Sequence, residues 1–207
     1  MLLQPEILEK WRKNSLKYLI CSDIHGSLRA GKILIDLDQK NNFDRIFCLG
    51  DFLYNGARND VPVDYNPKEL AKIINSLASK IIACKGNCES NVDLVVLNFS
   101  LPIFNSYRDG NCKFYLTHGD DEDLFYKPKN DEIFMYGHTH VPVLMKNSFN
   151  GIVLNPGSMT FPKGKIDKSF ITIIDGRIEL FEFDYDKDNY KIINSYKLEN
   201  QSISFEK

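Results

Sequence analysis

The fold is decided by the stretch KYLICSDIHG, residues 17–26, in which an apolar run ends in a short polar segment. The run is brief and stops abruptly, which is typical of a strand buried on both faces of a sheet. The polar segment that follows carries Asp23 and His25 beside Gly26. A carboxylate and an imidazole directly after a buried strand indicate a binding site at the carboxyl edge of a sheet.

The same pattern recurs twice along the first half of the chain. Residues 45–49 and 80–84 are further short apolar runs, followed closely by Gly50 and Gly86. Apolar side chains at helical spacing lie between these runs, over residues 28–37 and, with a proline in the first turn, over residues 67–77. Alternation of strand and helix predicts a parallel sheet.

The second half of the chain has apolar runs with little helical pattern between them, which predicts a mixed or antiparallel sheet. These runs are residues 114–117, 133–136, 141–145, 152–154 and 170–174. The pairs Asp109-Gly110 and Asp175-Gly176 prefer positive φ and predict hairpins. The polar tail after Asp184 is expected to form a closing strand.

Length and composition predict one domain. A chain of 207 residues with 43% hydrophobic side chains is long enough for one buried core and short for two. We expect residues 1–16 to be an N-terminal extension and residues 17–207 to form the domain. Oligomeric state is not readable from this pattern, and a homo-oligomer is left open.

The charge balance argues against a polyanionic partner. The chain has 26 basic and 28 acidic residues and a net charge of -2, so duplex nucleic acid is not expected to bind.

No apolar run approaches the roughly 20 residues of a membrane helix, and the first residues lack the apolar stretch of a secretory signal. We therefore expect no membrane contact and a cytoplasmic location.

The cysteines favour the same compartment. An odd set of five, several of them inside apolar runs, is more typical of buried thiols than of a disulfide framework. Cys84 and Cys88 have a spacing that could suggest zinc, but no second pair stands at finger-like spacing.

The strongest functional signal is a set of metal-type ligands that follow strand-like runs. Each of the four histidines comes directly after such a run and close to a glycine. With two carboxylates and one amide they make seven candidate ligands: Asp23, His25, Asp51, Asn87, His118, His138 and His140. Seven ligands are too many for one tetrahedral zinc ion, but two ions can share them if one carboxylate bridges. Such a pair suits the hydrolysis of phosphate esters.

Each candidate has an ordinary explanation when taken alone. Asp23 or Asp51 could cap a helix, and Asn87 could shape a turn after Gly86. The combination favours the metal site. His138 and His140 are two residues apart, a spacing that places both on one face of a strand or lets both point at one centre.

The ordered motifs resemble the calcineurin-like metallophosphoesterase superfamily over residues 17 to about 182. They are Asp23-x-His25-Gly26, Gly50-Asp51, Gly86-Asn87, His118-Gly119 and Gly137-His138-x-His140. Four further segments look like the small bacterial phosphodiesterases of the YfcE type: Tyr54-Asn55-Gly56-Ala57-Arg58-Asn59, Tyr65-Asn66-Pro67, Gly86-Asn87-Cys88-Glu89 and Leu154-Asn155-Pro156-Gly157-Ser158. The resemblance implies an α/β fold, a four-layer αββα sandwich with two facing mixed sheets and a binuclear metal site at the strand ends.

The resemblance also implies how the ligands divide. One ion would take Asp23, His25 and His140, and the other would take Asn87, His118 and His138, with Asp51 bridging both. Two divalent ions are expected, with Mn2+ as the first choice and Zn2+, Fe2+ or Ni2+ as alternatives, since mixed imidazole, carboxylate and amide ligands suit all of them.

Three further residues are implied to act in catalysis. Asn55 and Arg58 are candidate contacts to the phosphoryl group, although Arg58 could equally be a solvated loop charge. Cys88 stands where many relatives carry histidine, and a thiol is a weaker proton donor, which suggests either good leaving groups or a diester substrate. Asp120 also stands where relatives carry histidine, and it could be an oxygen ligand or part of a solvated acidic loop.

The predicted function is a metal-dependent phosphodiesterase that hydrolyses a small phosphate ester, prefers diesters to monoesters, and uses a hydroxide bridging the two ions. The alternative is a non-catalytic metal-binding scaffold of the same fold, similar to the retromer subunit, which lacks a complete ligand set. A repair nuclease would need additional DNA-binding segments and a basic surface, and this chain shows neither.

Overall fold

A computed structural model describes residues 16–110, 112–130, 132–185 and 189–198. The proposed N-terminal extension lies outside the described residues except for Leu16. The described part contains three α-helices: α1 (Leu28–Asn41), α2 (Pro67–Ser76) and α3 (Asp93–Val96). Its strands are β1 (Lys17–Cys21), β2 (Arg45–Cys48), β3 (Ile81–Ala83), β4 (Phe104–Asp109), β5 (Cys112–Thr117), β6 (Glu132–Met135), β7 (Val143–Lys146), β8 (Ile152–Asn155), β9 (Ser169–Ile174), β10 (Arg177–Asp184) and β11 (Asn189–Lys197).

The first sheet begins with the three parallel strands that the sequence predicts. β1 pairs in parallel with β2, and β2 pairs in parallel with β3. Helix α1 starts at a cap in which Ser27 accepts a hydrogen bond from the Ala30 N–H, and it ends at Asn42 in the left-handed conformation, several residues later than predicted. Helix α2 is capped by Asn66, with Pro67 in its first turn. Both predicted helices are confirmed.

Antiparallel strands complete this sheet, whose order in the described residues is β11-β10-β9-β1-β2-β3. β9 pairs with β1, and β10 follows it through the Asp175–Gly176 turn, where φ is 52° and 70°. The predicted hairpin is therefore confirmed. β11 pairs antiparallel with β10, which agrees with the expected closing strand.

The second sheet is also mixed, with the order β4-β5-β6-β8-β7 in the described part of the chain. Its three central strands, β5, β6 and β8, are parallel, and β4 and β7 pair antiparallel at the two edges. β4 and β5 form the hairpin predicted at Asp109-Gly110. The predicted mixed second sheet is confirmed.

The two sheets face each other across an apolar core. Alternate residues of the parallel strands point into it, so that Ile20 and Phe47 meet Phe114, Ile133 and other side chains of the second sheet. Burying one such side chain contributes about 1.5–3 kcal/mol to stability. The opposite face of the first sheet, with Leu19, packs under helices α1 and α2.

The fourth layer lies on the outer face of the second sheet. Aromatic rings from the segment after β5 cover it, with Phe125 centred 5.6 Å from Phe134 and Tyr126 centred 4.5 Å from Tyr115. In the described residues this layer contains a short 3-10 turn, Glu122–Leu124, and no long helix. The α/β sandwich with two facing mixed sheets is otherwise as predicted. None of the helices in the described ranges is both long and apolar enough to span a bilayer.

Candidate metal centre

The candidate ligands lie on loops that leave the carboxyl ends of parallel strands in both sheets. β1, β2 and β3 deliver residues from the first sheet, and β5 and β6 deliver residues from the second. Main-chain hydrogen bonds join the first two loops, because the carbonyl of Asp51 accepts the N–H groups of Ile24 and His25, both at 2.9 Å. These bonds bring residues distant in sequence to one edge.

Five of the candidate ligands have a left-handed backbone, a conformation that residues with a Cβ rarely adopt. Their φ angles are 55° for Asp23, 49° for His25, 57° for Asp51, 61° for His138 and 59° for His140. Each such residue costs about 1–2 kcal/mol. Strain of this kind persists only where the surrounding structure enforces it, and it concentrates at functional sites.

One half of the cluster is buried. Asp23, His25 and His140 are 0%, 1% and 4% exposed. The Nε2 atom of His140 lies 3.1 Å from Asp23 Oδ1, and the Nε2 atom of His25 lies 3.5 Å from the same oxygen. The two Nε2 atoms are 3.3 Å apart. Three ligand-type atoms therefore converge on one point.

The other half opens toward solvent. Asn87 is exposed and His138 is partly exposed. The Oδ1 atom of Asn87 lies 2.8 Å from His138 Nδ1 and 3.0 Å from His118 Nε2. Asp51 stands between the halves, with its Oδ2 atom 3.4 Å from His118 Nε2 and 3.7 Å from His25 Nε2. The structure thus brings all seven candidate ligands together, with Asp51 in the position that a bridging ligand would need.

Main-chain carbonyls fix the protonation of three histidines. The Nδ1 atoms of His25, His118 and His140 lie 2.9, 2.6 and 2.5 Å from the carbonyl oxygens of Tyr54, Leu49 and Phe161. A carbonyl can only accept, so these Nδ1 atoms carry the hydrogen. In the neutral ring Nε2 then presents a lone pair, and in all three it faces the cluster. This orientation is typical of metal-binding histidines.

The cluster fits a cation. The Oδ1 atom of Asp23 is buried, and it has no hydrogen-bond partner even though His140 Nε2 lies nearby. Lone pairs that face one another in a buried site are costly unless a positive charge lies between them. The residues present, with imidazole nitrogens and carboxylate oxygens, are ligands that divalent transition metals accept.

The pKa values of Asp23 and His118 also indicate that the cluster favours positive charge. Burial would raise the pKa of Asp23, but its contacts with His140 and His25 hold that pKa well below its usual range. Burial would lower the pKa of His118, but Asp51 and Asp23 raise it to about 10. The site therefore favours bound positive charge even without a metal.

Of the three predicted catalytic residues, two line a cleft at the cluster and the third, Asn55, does not. Arg58 and Cys88 line a cleft of about 690 Å³ beside the cluster. Burial and the nearby charge of Asp51 raise the pKa of the Cys88 thiol well above its usual value, so the thiol stays protonated at neutral pH. Asn55 is only 9% exposed, and its Nδ2 atom donates to the carbonyl of Asn59 at 3.2 Å. Asn55 thus contributes to the shape of the loop that carries Arg58.

The acidic segment that starts at Asp120 points outward. Asp120 is exposed, and among the described residues it belongs to no group of ligand atoms close enough to share an ion. Its neighbour Asp121 accepts the Asp123 N–H at 3.0 Å and so caps the 3-10 turn. The structure favours the solvated-loop interpretation of Asp120.

Several residues near the cluster were given no functional role by the sequence analysis. Tyr54, Thr139 and Lys163 line the cleft, and nothing in the local pattern around Lys163 indicated this position. Glu89 is buried behind the cluster. No local signal indicated this burial, because the segment around Glu89 is polar and its neighbours Asn87 and Ser90 are exposed.

Comparison with known proteins agrees with this geometry. Residues 16–175 match the calcineurin-like phosphoesterase superfamily domain. Phosphodiesterase YfcE of Escherichia coli is 37% identical over 155 residues, which cover 72% of this chain and 82% of that protein. The solved structure of Yfce, a phosphoesterase from E. coli, superimposes with a TM-score of 0.80 at 29% identity, covering 89% of this chain and 100% of that one. Vps29 from Chaetomium thermophilum has a TM-score of 0.62 at 14% identity, covering 88% and 98%, a likeness that shows the fold alone.

Proposed function

The chain belongs to the calcineurin-like phosphoesterase superfamily, and from this premise we propose that it is a metal-dependent phosphodiesterase acting on a small phosphate ester. The observation that carries the proposal is the convergence of seven ligand-type side chains, with the Nε2 atoms of three histidines directed inward because main-chain carbonyls hold their Nδ1 atoms. A site that only stabilised the fold would have no need to leave a buried carboxylate oxygen, Oδ1 of Asp23, without a hydrogen bond.

In this proposal two divalent ions are held, with Mn2+ as the first choice. Asp23, His25 and His140 would hold one ion, Asn87, His118 and His138 would hold the other, and Asp51 would be shared between them. When bound, such a pair lowers the pKa of a shared water and neutralises charge that develops on the phosphoryl oxygens.

Residues in and near the cleft are proposed to bind the phosphoryl group and to set the preference for the leaving group. Arg58 is proposed to receive non-bridging phosphoryl oxygens through its planar guanidinium. Contact between Asn55 and the phosphoryl group stays a prediction. The neutral thiol of Cys88 is a poor proton donor, so the site is proposed to prefer diesters with good leaving groups to monoesters.

The wider proposal concerns the whole chain. We propose that residues 17–207 form one domain, with residues 1–16 as an extension, because β11 pairs within the same sheet as β1. A cytoplasmic location and a small-molecule substrate belong to the same proposal.

The alternative to an enzyme is a non-catalytic scaffold. The likeness to Vps29 supports only a shared fold, whereas a relative at 37% identity is a phosphodiesterase.

The test is an assay of metal-stripped protein on bis(p-nitrophenyl) phosphate and on the monoester p-nitrophenyl phosphate, before and after Mn2+ is added. We expect Mn2+-dependent cleavage, faster for the diester. Asp51→Asn should lower kcat about 1000-fold, because losing a ligand to both ions removes about 4 kcal/mol of transition-state stabilisation.

Asp175→Asn is the matched control for this assay. It makes the same substitution at a residue with a similar left-handed backbone, φ 52° against 57°, in the distant β9–β10 turn. Its activity should equal that of the wild type. If the protein bound two ions but turned over neither substrate with any divalent metal, the scaffold alternative would be favoured instead.

A further inference from the structure

Glu89 lies behind the metal cluster, where its carboxylate joins two ligand-bearing loops. The side chain is 7% exposed. Its Oε2 atom accepts the N–H groups of Gly86 at 2.5 Å and Asp51 at 3.0 Å, and its Oε1 atom accepts the N–H of Phe52 at 2.5 Å. Two of these donors belong to the loop after β2, and the third belongs to the loop after β3.

The two loops pack closely against each other at Gly50 and Gly86. A Cβ added to Gly50 would lie 2.6 Å from the Gly86 nitrogen. The buried N–H groups of both loops need an acceptor, since an unpaired buried N–H is costly. One carboxylate meets this need for three donors, and hydrogen bonds to a charged acceptor are stronger than neutral ones.

The loops are also bonded in the opposite direction. Asp51 Oδ1 accepts the Cys88 N–H at 2.8 Å, so each loop supplies a carboxylate to the main chain of the other. This arrangement leaves Asp51 Oδ2 facing His118 and His25. The same loop that Glu89 anchors at Gly86 carries Asn87, the next residue along the chain.

We propose that Glu89 is a positioning residue that holds Asp51 and Asn87 in ligand geometry, an inference that rests on the proposed metal-dependent function. In the described residues no ion pair involves Glu89, so its partners are the main-chain donors of the two loops. A purely structural role would change stability alone. A positioning role also changes metal affinity, because it acts through two ligands at once.

Glu89→Gln tests this proposal with little change of volume. Glutamine has a single acceptor oxygen, and its amide nitrogen would face at least one backbone N–H donor. We would measure Mn2+ affinity of the metal-free protein by calorimetric titration, kcat and KM on the diester, and thermal unfolding. We expect Mn2+ affinity to fall about 10- to 100-fold, the usual effect of losing an outer-shell partner, with kcat falling more than KM rises.

Glu132→Gln is the matched control. Glu132 is 9% exposed and also accepts a main-chain N–H, that of Lys129 at 3.0 Å, but it begins β6, at the end of the strand away from the cluster. We expect this variant to unfold at a lower temperature and to bind Mn2+ like the wild type.

Either of two results would overturn the proposal: wild-type Mn2+ affinity in Glu89→Gln, or an equal loss of affinity in Glu132→Gln. If Glu89→Gln does not fold, Glu89→Asp replaces it in the experiment. Aspartate keeps both carboxylate oxygens but is one methylene too short to reach all three donors. Wild-type Mn2+ affinity in Glu89→Asp would also refute the proposal. A wild-type protein that binds Mn2+ without hydrolysing the diester would refute the proposed function, while the affinity comparison would still decide the role of Glu89.

Discussion

The two halves of the metal cluster differ in how their ligands are held. In the buried half, the Nδ1 atoms of His25 and His140 are anchored to main-chain carbonyls, and both side chains are at most 4% exposed. In the open half, His118 is buried and anchored in the same way, to the carbonyl of Leu49, but the Nδ1 atom of His138 faces the side chain of Asn87, which is exposed to solvent. The main chain therefore anchors both histidines of the first half, whereas the second half also depends on His138 and Asn87, which contact each other through their side chains. We expect tight metal binding in the buried half and ligand exchange, with entry of substrate, at the open half.

The largest effect is expected on Mn2+ affinity when one histidine of either half is replaced. His140→Ala should weaken Mn2+ binding at least about 100-fold, whereas His138→Ala should weaken it about 10-fold, the two ends of the range for perturbed metal sites. The reason is that a ligand in a water-excluded site contributes more than one that water can replace. Calorimetric titration and the bound-metal content of both variants measure this, and the reverse order would contradict the comparison.

A smaller effect is expected where the β2 and β3 loops meet. Gly50→Ala places a Cβ against the Gly86 main chain, and Gly50 has φ 94°. We expect it to lower the free energy of unfolding by about 2 kcal/mol, with left-handed strain and overpacking contributing about 1 kcal/mol each. Chemical denaturation of the metal-free protein measures the loss.

Gly164→Ala is the control for that variant, since Gly164 has φ 89° and an added Cβ there would meet nothing within 4 Å. It should cost only the backbone strain, about 1 kcal/mol. Equal losses in the two variants would mean that the close approach of the loops contributes nothing to stability.

The smallest expected effect concerns the mouth of the open half. Lys163 lines the cleft together with Arg58, and both side chains are exposed. Lys163→Ala should raise KM for the anionic diester about threefold at low salt, with the difference shrinking as salt screens exposed charges. Lys165→Ala, in the same exposed segment but away from the cleft lining, should leave KM unchanged. Steady-state kinetics at two ionic strengths would decide, and equal KM values for both variants would remove Lys163 from substrate binding.

Much of the fold followed from the sequence because its signals are local. Short apolar runs predicted β1, β2 and β3, the proline marked where α2 begins, and the Asp175–Gly176 pair marked a hairpin whose φ angles agree. The candidate ligands could be selected because each follows a strand, and parallel strands end at one edge. This explains the convergence of Asp23, His25, Asp51 and Asn87 in the first sheet, whereas the three histidines from the second sheet join them because the two sheets face each other, an arrangement that the family resemblance implied.

Other features depend on contacts between distant residues and had no local signal. The left-handed backbone of Asp23 and His25 is enforced partly by main-chain bonds to the loop after β2, some 26 residues further along the chain. The order β6-β8-β7 in the second sheet arises because β8 pairs in parallel with β6, while β7 pairs antiparallel on the outside. The cleft position of Lys163 depends on how its segment returns to the His140 carbonyl, which accepts the Lys163 N–H.

The left-handed ligands also limit how this site could be transferred. A peptide containing residues 20–26 would relax to ordinary backbone angles, since nothing in it holds Asp23 and His25 at positive φ. Grafting the five motifs onto an unrelated scaffold would therefore reproduce the residue types without their directions. What must be copied is the pair of sheets with their neighbouring strand ends, because these elements supply the energy that keeps the ligands in a conformation their own residues disfavour.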